Sequence, residues 1–425
     1  MQKRLSIFTN GTDGYTADLS NVYLGNVYID ARKNSQLHTI IGTINVEPDS
    51  NADDTFRTEI QNISGAFNDR QIEIAANINV KEGGKLWIKS SATNCGLDGL
   101  PISGDVTGGG KIYLDGSLGS NFRLTGDSLG FTGDWILKSI NDSVIYSGDG
   151  ISKNSLYGGS VTLEAATVHL ENSQKLKNLS SIETTATITA DSALTLTLET
   201  TEEKTYAGAI TGNISLDKTG VGALTLNGNL SHTGTTTVSA GTLTLTPTNT
   251  LPSDLTVKEN STLYLTGTLG DGTDYNNLTL ESGSNFSPGV ASTVGMAIIG
   301  NFTLNGAMTM DVDNLGNADR LTVNGAFSST DSAAVSFDLS LLAYTDDETT
   351  LDFGDWGIEN TDTLNWRIIG DQWGAASSQL RLSDTGNVLL TLRASAHNEV
   401  PEPTTFVMML LGFLGIFWYR KRQGK

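Results

Sequence analysis

The residues of this 425-residue chain best suited to chemistry are acidic, and few of them are grouped. The stretch DVDNLGNAD brings Asp311, Asp313, Asn314 and Asp319 within nine residues, loosely like a calcium loop with oxygen ligands at alternating positions. It lacks the later bidentate Glu such a loop uses, so no metal site is assigned. The runs NADDT (51–55) and YTDDETTLDFGDWG (344–357) read more simply as solvated loops. His38, His169, His232 and His397 lie in no metal-ligand spacing, and His232 in the turn LSHTGT reads as solvated. Cys95 has no neighbouring His to activate it, and a single cysteine permits no intramolecular disulfide. No nucleophile elbow, P-loop or dinucleotide fingerprint occurs, so no cofactor and no catalytic residue are assigned. Trp356, Trp366 and Trp373 could stack on a sugar ring if exposed, but the expected role of their segment is to close the end of the fold.

Side chains this dispersed need a scaffold that repeats. The body of the chain is built from apolar–Thr–apolar triplets bracketed by Gly or Asn: GALTLNG (222–228), GTLTLTP (241–247), STLYLTG (261–267), NFTLNG (301–306) and RLTVNG (320–325). Period-two alternation is the mark of a half-buried strand, with Thr outward. The second apolar residue of successive triplets falls at Leu226, Leu245, Leu265, Leu280, Leu304 and Val323, steps of 19, 20, 15, 24 and 19 residues. A repeat near twenty residues, none able to bury its apolar side alone, predicts a solenoid. The expected fold is all-β: a right-handed parallel β-helix, then a single C-terminal transmembrane helix. At ~4.8 Å per coil, residues 1–395 would form a rod of order 90 Å. Antiparallel sandwiches are the rival, but Asn-Gly recurs at the repeat period rather than between paired strands.

The net charge of −21 excludes a nucleic-acid partner, because phosphate repels such a surface. Residues 401–425 hold four bases and one acid, so the remainder has 22 bases against 46 acids, a balance of −24. Positive charge is thus gathered at the extreme end, in VPEPTTFVMMLLGFLGIFWYRKRQGK (400–425). Thr404 to Tyr419 carries no charge and would span about 24 Å as a helix, slightly under the ~30 Å hydrocarbon core. Trp418 and Tyr419 would sit at the interface, with Arg420, Lys421, Arg422 and Lys425 as a cytoplasmic basic stop. The apolar run Leu5–Phe8 is too short for a signal peptide, so an exported chain is expected to start upstream of Met1.

Two resemblances can be placed on these residues. DKTGVGALTLNGNLSHTGTTTVSAGTLTL (217–245) closely resembles the autotransporter-associated β-strand repeat, and FSPGVASTVGMAIIGNFTLNGAMTMDVDN (286–314) with ADRLTVNGAF (318–327) resembles the segments that follow it. That family pattern makes Asp319 a strand-start residue. Pro401, Glu402 and Pro403, the apolar run and the basic end together resemble the PEP-CTERM sorting signal of exported bacterial proteins. The second resemblance implies an exosortase-type sorting enzyme as partner. It also implies export, membrane anchoring through the C-terminal segment, and then the cell surface or extracellular matrix.

The expected organisation is an irregular β-helix region (1–204), a repeat-like β-helix (205–343), a β cap (344–395), a linker with the motif (396–403), and a transmembrane segment with basic tail (404–425). The expected function is structural and adhesive, without enzymatic activity, with extracellular polysaccharide as a candidate ligand. A carbohydrate-active β-helix enzyme, lyase or glycosidase, is the alternative. Rung register would decide which Asp residues converge in it. An autotransporter passenger is set aside, since it predicts a barrel of many ~10-residue amphipathic strands.

Overall fold

A computed structural model describes residues 72–392 apart from 91–98, 117–120, 140–143, 149–153, 247–250, 291–292, 343–347, 363 and 371–377; before residue 72 it describes 3–6, 16–18, 22–24, 27–31, 38–48 and 58–62. These residues form an all-β solenoid of parallel strands. One sheet of sixteen strands runs from Thr16–Asp18 to Phe327–Ser329. A second face begins as an eight-stranded sheet ending at Leu179–Ser180 and resumes as a nine-stranded sheet from Lys204–Tyr206, the two joined by a parallel bridge between Ser181 and Tyr206.

The alternation read from the sequence is what builds each rung. In Lys85–Ser90 the residues Leu86, Ile88 and Ser90 face inward, and Lys85, Trp87 and Lys89 outward. Stacking rungs in register turns these positions into columns. Ile60, Ile88, Leu114, Leu137 and Leu163 are consecutive partners on one face, and Leu224, Leu243, Leu263, Phe286, Met308 and Val335 on its continuation. Each of these side chains is buried, which stabilises the coil by roughly 1.5–3 kcal/mol per residue.

The corners need Gly for want of space. A Cβ on Gly126 would lie 1.9 Å from the carbonyl oxygen of Gly104, and one on Gly104 would lie 1.9 Å from that of Ala76. The chain of one rung therefore rests directly on the backbone of the last, a close approach only Gly permits.

Two expectations change. Leu226, Leu245 and Leu265 are indeed register partners, but Leu280 and Leu304 belong to the long sheet and Val323 pairs with Ile299 on a third strand set. The step of 15 and the last step of 19 are changes of face, whereas the step of 24, from Leu280 to its direct partner Leu304, is one long rung. The rod is also shorter than expected. The path through the long sheet holds fourteen strands, a length of about 60 Å at ~4.8 Å per rung. The reason is that rungs outside the central part exceed twenty residues: Leu86 to Ile112 is 26, and Met308 to Val335 is 27.

Toward its C-terminal end the core turns aromatic. Phe286 meets Phe302, Phe302 meets Phe327, and Trp356 lies 6.5 Å from Phe327 and 6.3 Å from Phe337. Trp356 is fully buried and its indole N–H donates to the Phe353 carbonyl, while Trp366 packs edge-on to Phe337. Trp356 is thus a core side chain and offers no sugar-stacking face; Trp373 lies outside the described residues. Beyond the parallel strands, Thr349–Asp355, Gln379–Leu382 and Asn387–Leu392 form an antiparallel sheet. It is tied to the rod by an ion pair of 2.9 Å between Arg320 and Asp352.

Candidate functional site

The deepest chemistry among the described residues collects where one strand leaves the ladder. Asn285–Val290 pairs with Ala307–Asp311 only through Asn285↔Ala307 and Phe286↔Met308. After Phe286 it peels away and folds back, Gly289 and Val290 pairing antiparallel with Val294 and Thr293. Thr309 and Asp311 lose this neighbour while staying paired with Ser336 and Asp338 on their other side, and a cleft of about 210 Å³ opens between the diverging chains, lined by Thr262, Tyr264, Asn285, Phe286, Ser287, Thr309, Asp311 and Asp338.

A split ladder strands backbone donors, which must find partners when buried. Asp319 supplies them. Its carboxylate accepts from Gly295 N at 2.7 Å, from Asp311 N at 2.8 Å and from Ser287 Oγ at 3.4 Å, while its own N–H donates to the Asp311 carbonyl. The side chain is fully buried. Burial pushes its carboxyl up to about 7, against the opposing pull of the two backbone amides. Asp319 does precede a strand, Arg320–Val323. Its work is to close the split from inside, not to face a ligand.

Two carboxylates do face outward together. Asp311 and Asp338 are direct partners on adjacent parallel strands, one rung apart. Tyr264 stands beside them, its hydroxyl raised above its ordinary value by burial and by the Asp311 charge. One Asp338 oxygen accepts from Ser340 N at 2.9 Å. The side chains of Thr262, Tyr264, Asn285 and Thr309 make no hydrogen bond among the described residues.

The loose calcium pattern does not assemble. Asp313 is occupied by its own turn, accepting from Leu315 N, Asn317 N and Asn317 Nδ2 at 2.7–2.9 Å, and the Asn317 amide draws its carboxyl below the ordinary value. Asp319 points the other way. Among the described residues no three His, Cys, Asp or Glu side chains converge on a point.

His232 corrects the sequence reading outright. It is fully buried rather than solvated, because in Leu230–His232 it shares the inward parity of Leu230. Its Nε2 lies 2.9 Å from Thr236 Oγ1, which in turn lies 2.9 Å from Ser253 Oγ. Burial holds the imidazole down at about 4, so it is neutral at physiological pH. Lys218, which the sequence analysis passed over, is buried as well. Its Nζ donates to the carbonyls of Thr219, Gly220 and Ala240 at 3.0, 2.9 and 2.9 Å, pinning its own turn to the next rung.

On the exterior face of the long sheet the register gathers another set. Arg123, Tyr146 and His169 are successive partners, each 23 residues on, with Arg123 over the Tyr146 ring and His169 on its other side. Glu171 neutralises Arg123. The equal spacing was the signal that would have found this column. On the eight-stranded sheet Trp87 and Tyr113 stack at 3.7 Å and 3°. Each of these two rings thus covers one face of the other.

Pro401, Glu402, Pro403, Arg420, Lys421, Arg422 and Lys425, with the apolar run between them, lie outside the described residues, as do Cys95 and His397. Among the described residues no helix is long and apolar enough to cross a membrane. No curated protein and no solved structure matches the chain. Two stretches do match protein families: residues 216–249, which contain Lys218 and His232, are similar to the passenger-associated-transport-repeat, and residues 399–422 are similar to the PEP-CTERM protein-sorting motif.

Proposed function

We propose that this chain is an exported bacterial surface or extracellular-matrix protein: an acidic, structural and adhesive rod delivered by its C-terminal sorting signal. The observation that carries this reading is the sorting-motif match at 399–422, following a parallel solenoid that contains a passenger-type repeat. The coils are taken as right-handed, the hand of ~98% of parallel crossovers. Pro401, Glu402 and Pro403 serve as the motif that an exosortase-type enzyme reads. Residues 404–419 hold the chain in the membrane, at least during processing, with Arg420, Lys421, Arg422 and Lys425 on the cytoplasmic side. The antiparallel sheet after residue 349 acts as the cap of the rod, and extracellular polysaccharide is its partner.

The test replaces Pro401, Glu402 and Pro403 by Ala and follows mass and location in cells. The unaltered chain is expected at the surface, shortened by roughly the segment that follows the motif. The variant should keep Lys425 and accumulate in the membrane fraction. Identical mass and distribution for both chains would sink the proposal.

A polysaccharide-cleaving enzyme is the second reading, favoured by one observation, the in-register pair Asp311 and Asp338. Adjacent rungs lie ~4.8 Å apart, close to the ~5–5.5 Å between the carboxyl groups of retaining glycosidases. It ranks second because Asp319, whose carboxyl burial raises toward neutrality, is turned away from the cleft opening. Release of reducing ends that Asp338→Asn abolishes would reverse this ranking.

A further inference from the structure

We propose that the cleft beside Tyr264 binds the protonated amino group and ring hydroxyls of one de-N-acetylated hexosamine unit in an extracellular polysaccharide. This deepens the adhesive reading and rests on it. The body of the chain carries −24, so it repels uronate or sulfate polymers and attracts cationic ones. An amino sugar is the polysaccharide unit that meets such a surface with charge and hydroxyls together.

Asp311 and Asp338 are one rung apart and side by side. At ~4.8 Å, one ammonium can donate to both carboxylates at the ~2.7–2.9 Å of charge-assisted bonds. Around them stand the Tyr264 hydroxyl, the Thr262 and Thr309 hydroxyls and the Asn285 amide, none bonded within the described protein. That mixture of donors and acceptors suits a ring bearing several hydroxyls. The cleft is small, about 210 Å³, and open on one side. It therefore takes a single sugar unit while the polymer continues along the rod.

A divalent cation fits less well. Calcium requires 6–8 oxygens at 2.3–2.6 Å, and one Asp338 oxygen is already committed to Ser340 N. The two other exterior candidates are weaker. Trp87 and Tyr113 each cover one face of the other, and Arg123 is neutralised by Glu171.

Titration of the full chain with a glucosamine tetramer, its N-acetylated counterpart and a galacturonate tetramer, followed by calorimetry, tests this. The glucosamine tetramer should bind, the other two at least tenfold more weakly, and binding should weaken with salt. Asp338→Asn keeps an acceptor for Ser340 N and should cost at least tenfold. Thr309→Lys, which tethers a competing ammonium in the cleft, should abolish binding. Equal affinity for the N-acetylated tetramer, binding unaffected by both variants, no binding of the glucosamine tetramer, or its displacement by millimolar calcium would overturn the proposal. The adhesive reading fails separately, if the unaltered rod is not retained on native matrix. If Asp338→Asn rods are retained as well as unaltered ones, the site fails and that reading stands.

Discussion

Between Lys204 and Leu265 successive rungs on one face advance by 20, 19 and 20 residues: Leu224 follows Lys204, Leu243 follows Leu224, and Leu263 follows Leu243. Further along the same face the steps are 23, 22, 27 and 31, from Leu263 through Phe286, Met308 and Val335 to Trp366. The strands are no longer in the second region. Its extra residues leave the coil, as the fold-back at 289–294 and the turn at 313–317, and these excursions create the cleft. Regular coils spend their residues on packing, while lengthened coils open a cleft whose polar lining can meet a ligand. The two regions also hide different polar groups: Lys218 and His232 in the regular coils, Asp319 in the lengthened ones.

The largest expected break in this contrast is Lys218→Met. The Met stem keeps the packing but leaves the carbonyls of Thr219, Gly220 and Ala240 without their shared donor. Charge-assisted bonds contribute about 1.5–3 kcal/mol each; less the relief of desolvating an ammonium, the expected net loss is about 4 kcal/mol. Because a solenoid's stability is summed over neighbouring coils, the loss should show as faster amide exchange confined to roughly residues 200–260. Uniform destabilisation out to the antiparallel sheet would mean that the regular coils are not an independent unit.

How much of this was legible follows from which physical signal each part sends. Strand parity is written in every triplet, so the inward Leu and outward Thr of Ala223–Leu226 could be read directly. The same parity, applied to Leu230, Ser231 and His232, would have buried the histidine; turn composition outweighed it wrongly. Face assignment was not legible, because Leu265 and Leu280 look alike as triplet residues yet lie on different sheets. The cleft was not legible either. It depends on where pairing stops after Phe286, and on Asp311 meeting Asp338 across 27 residues, a spacing that matches no regular period.

Acid should act on the two regions in opposite directions. His232 falls from 6.5 to about 4 on folding. Its contribution is complete above about pH 6.5 and is lost as pH falls toward 4, because the unfolded chain takes the proton first. Two and a half units correspond to about 3 kcal/mol. Asp319 rises from 3.8 to about 7. Its contribution is complete below about pH 3.8 and lost as pH rises through 7, because the folded chain takes the proton first. Amide exchange at pH 7.5 and 5, corrected for intrinsic rates, should therefore show the coil around His232 loosening in acid and the coil around Asp319 tightening. His232→Gln and Asp319→Asn should each flatten only their own response. A shift of both segments in the same direction would contradict the assignment.

The smallest expected effect distinguishes how the two regions hold their corners. From the last regular coil into the lengthened ones an Asx ladder runs up the residues that precede the strands of the long sheet. Asp254 Oδ1 accepts from Asn277 N and Nδ2, Asn277 Oδ1 from Asn301 N and Nδ2, and Asn301 Oδ1 from Ala326 N. In the regular coils Asn229 precedes a different strand, Leu230–His232, stacked on Ile210, and its amide oxygen is buried without a partner among the described residues. Asn277→Ala removes three exposed side-chain bonds from this corner and should cost about 1 kcal/mol. Asn229→Ala removes an unsatisfied oxygen and should cost close to nothing, since a buried acceptor without a donor already counts against the fold. Local amide exchange at the following strands, Leu278–Leu280 and Leu230–His232, reads both. Equal losses would mean that the regular corners depend on side-chain hydrogen bonds after all, and that packing alone does not separate the two regions.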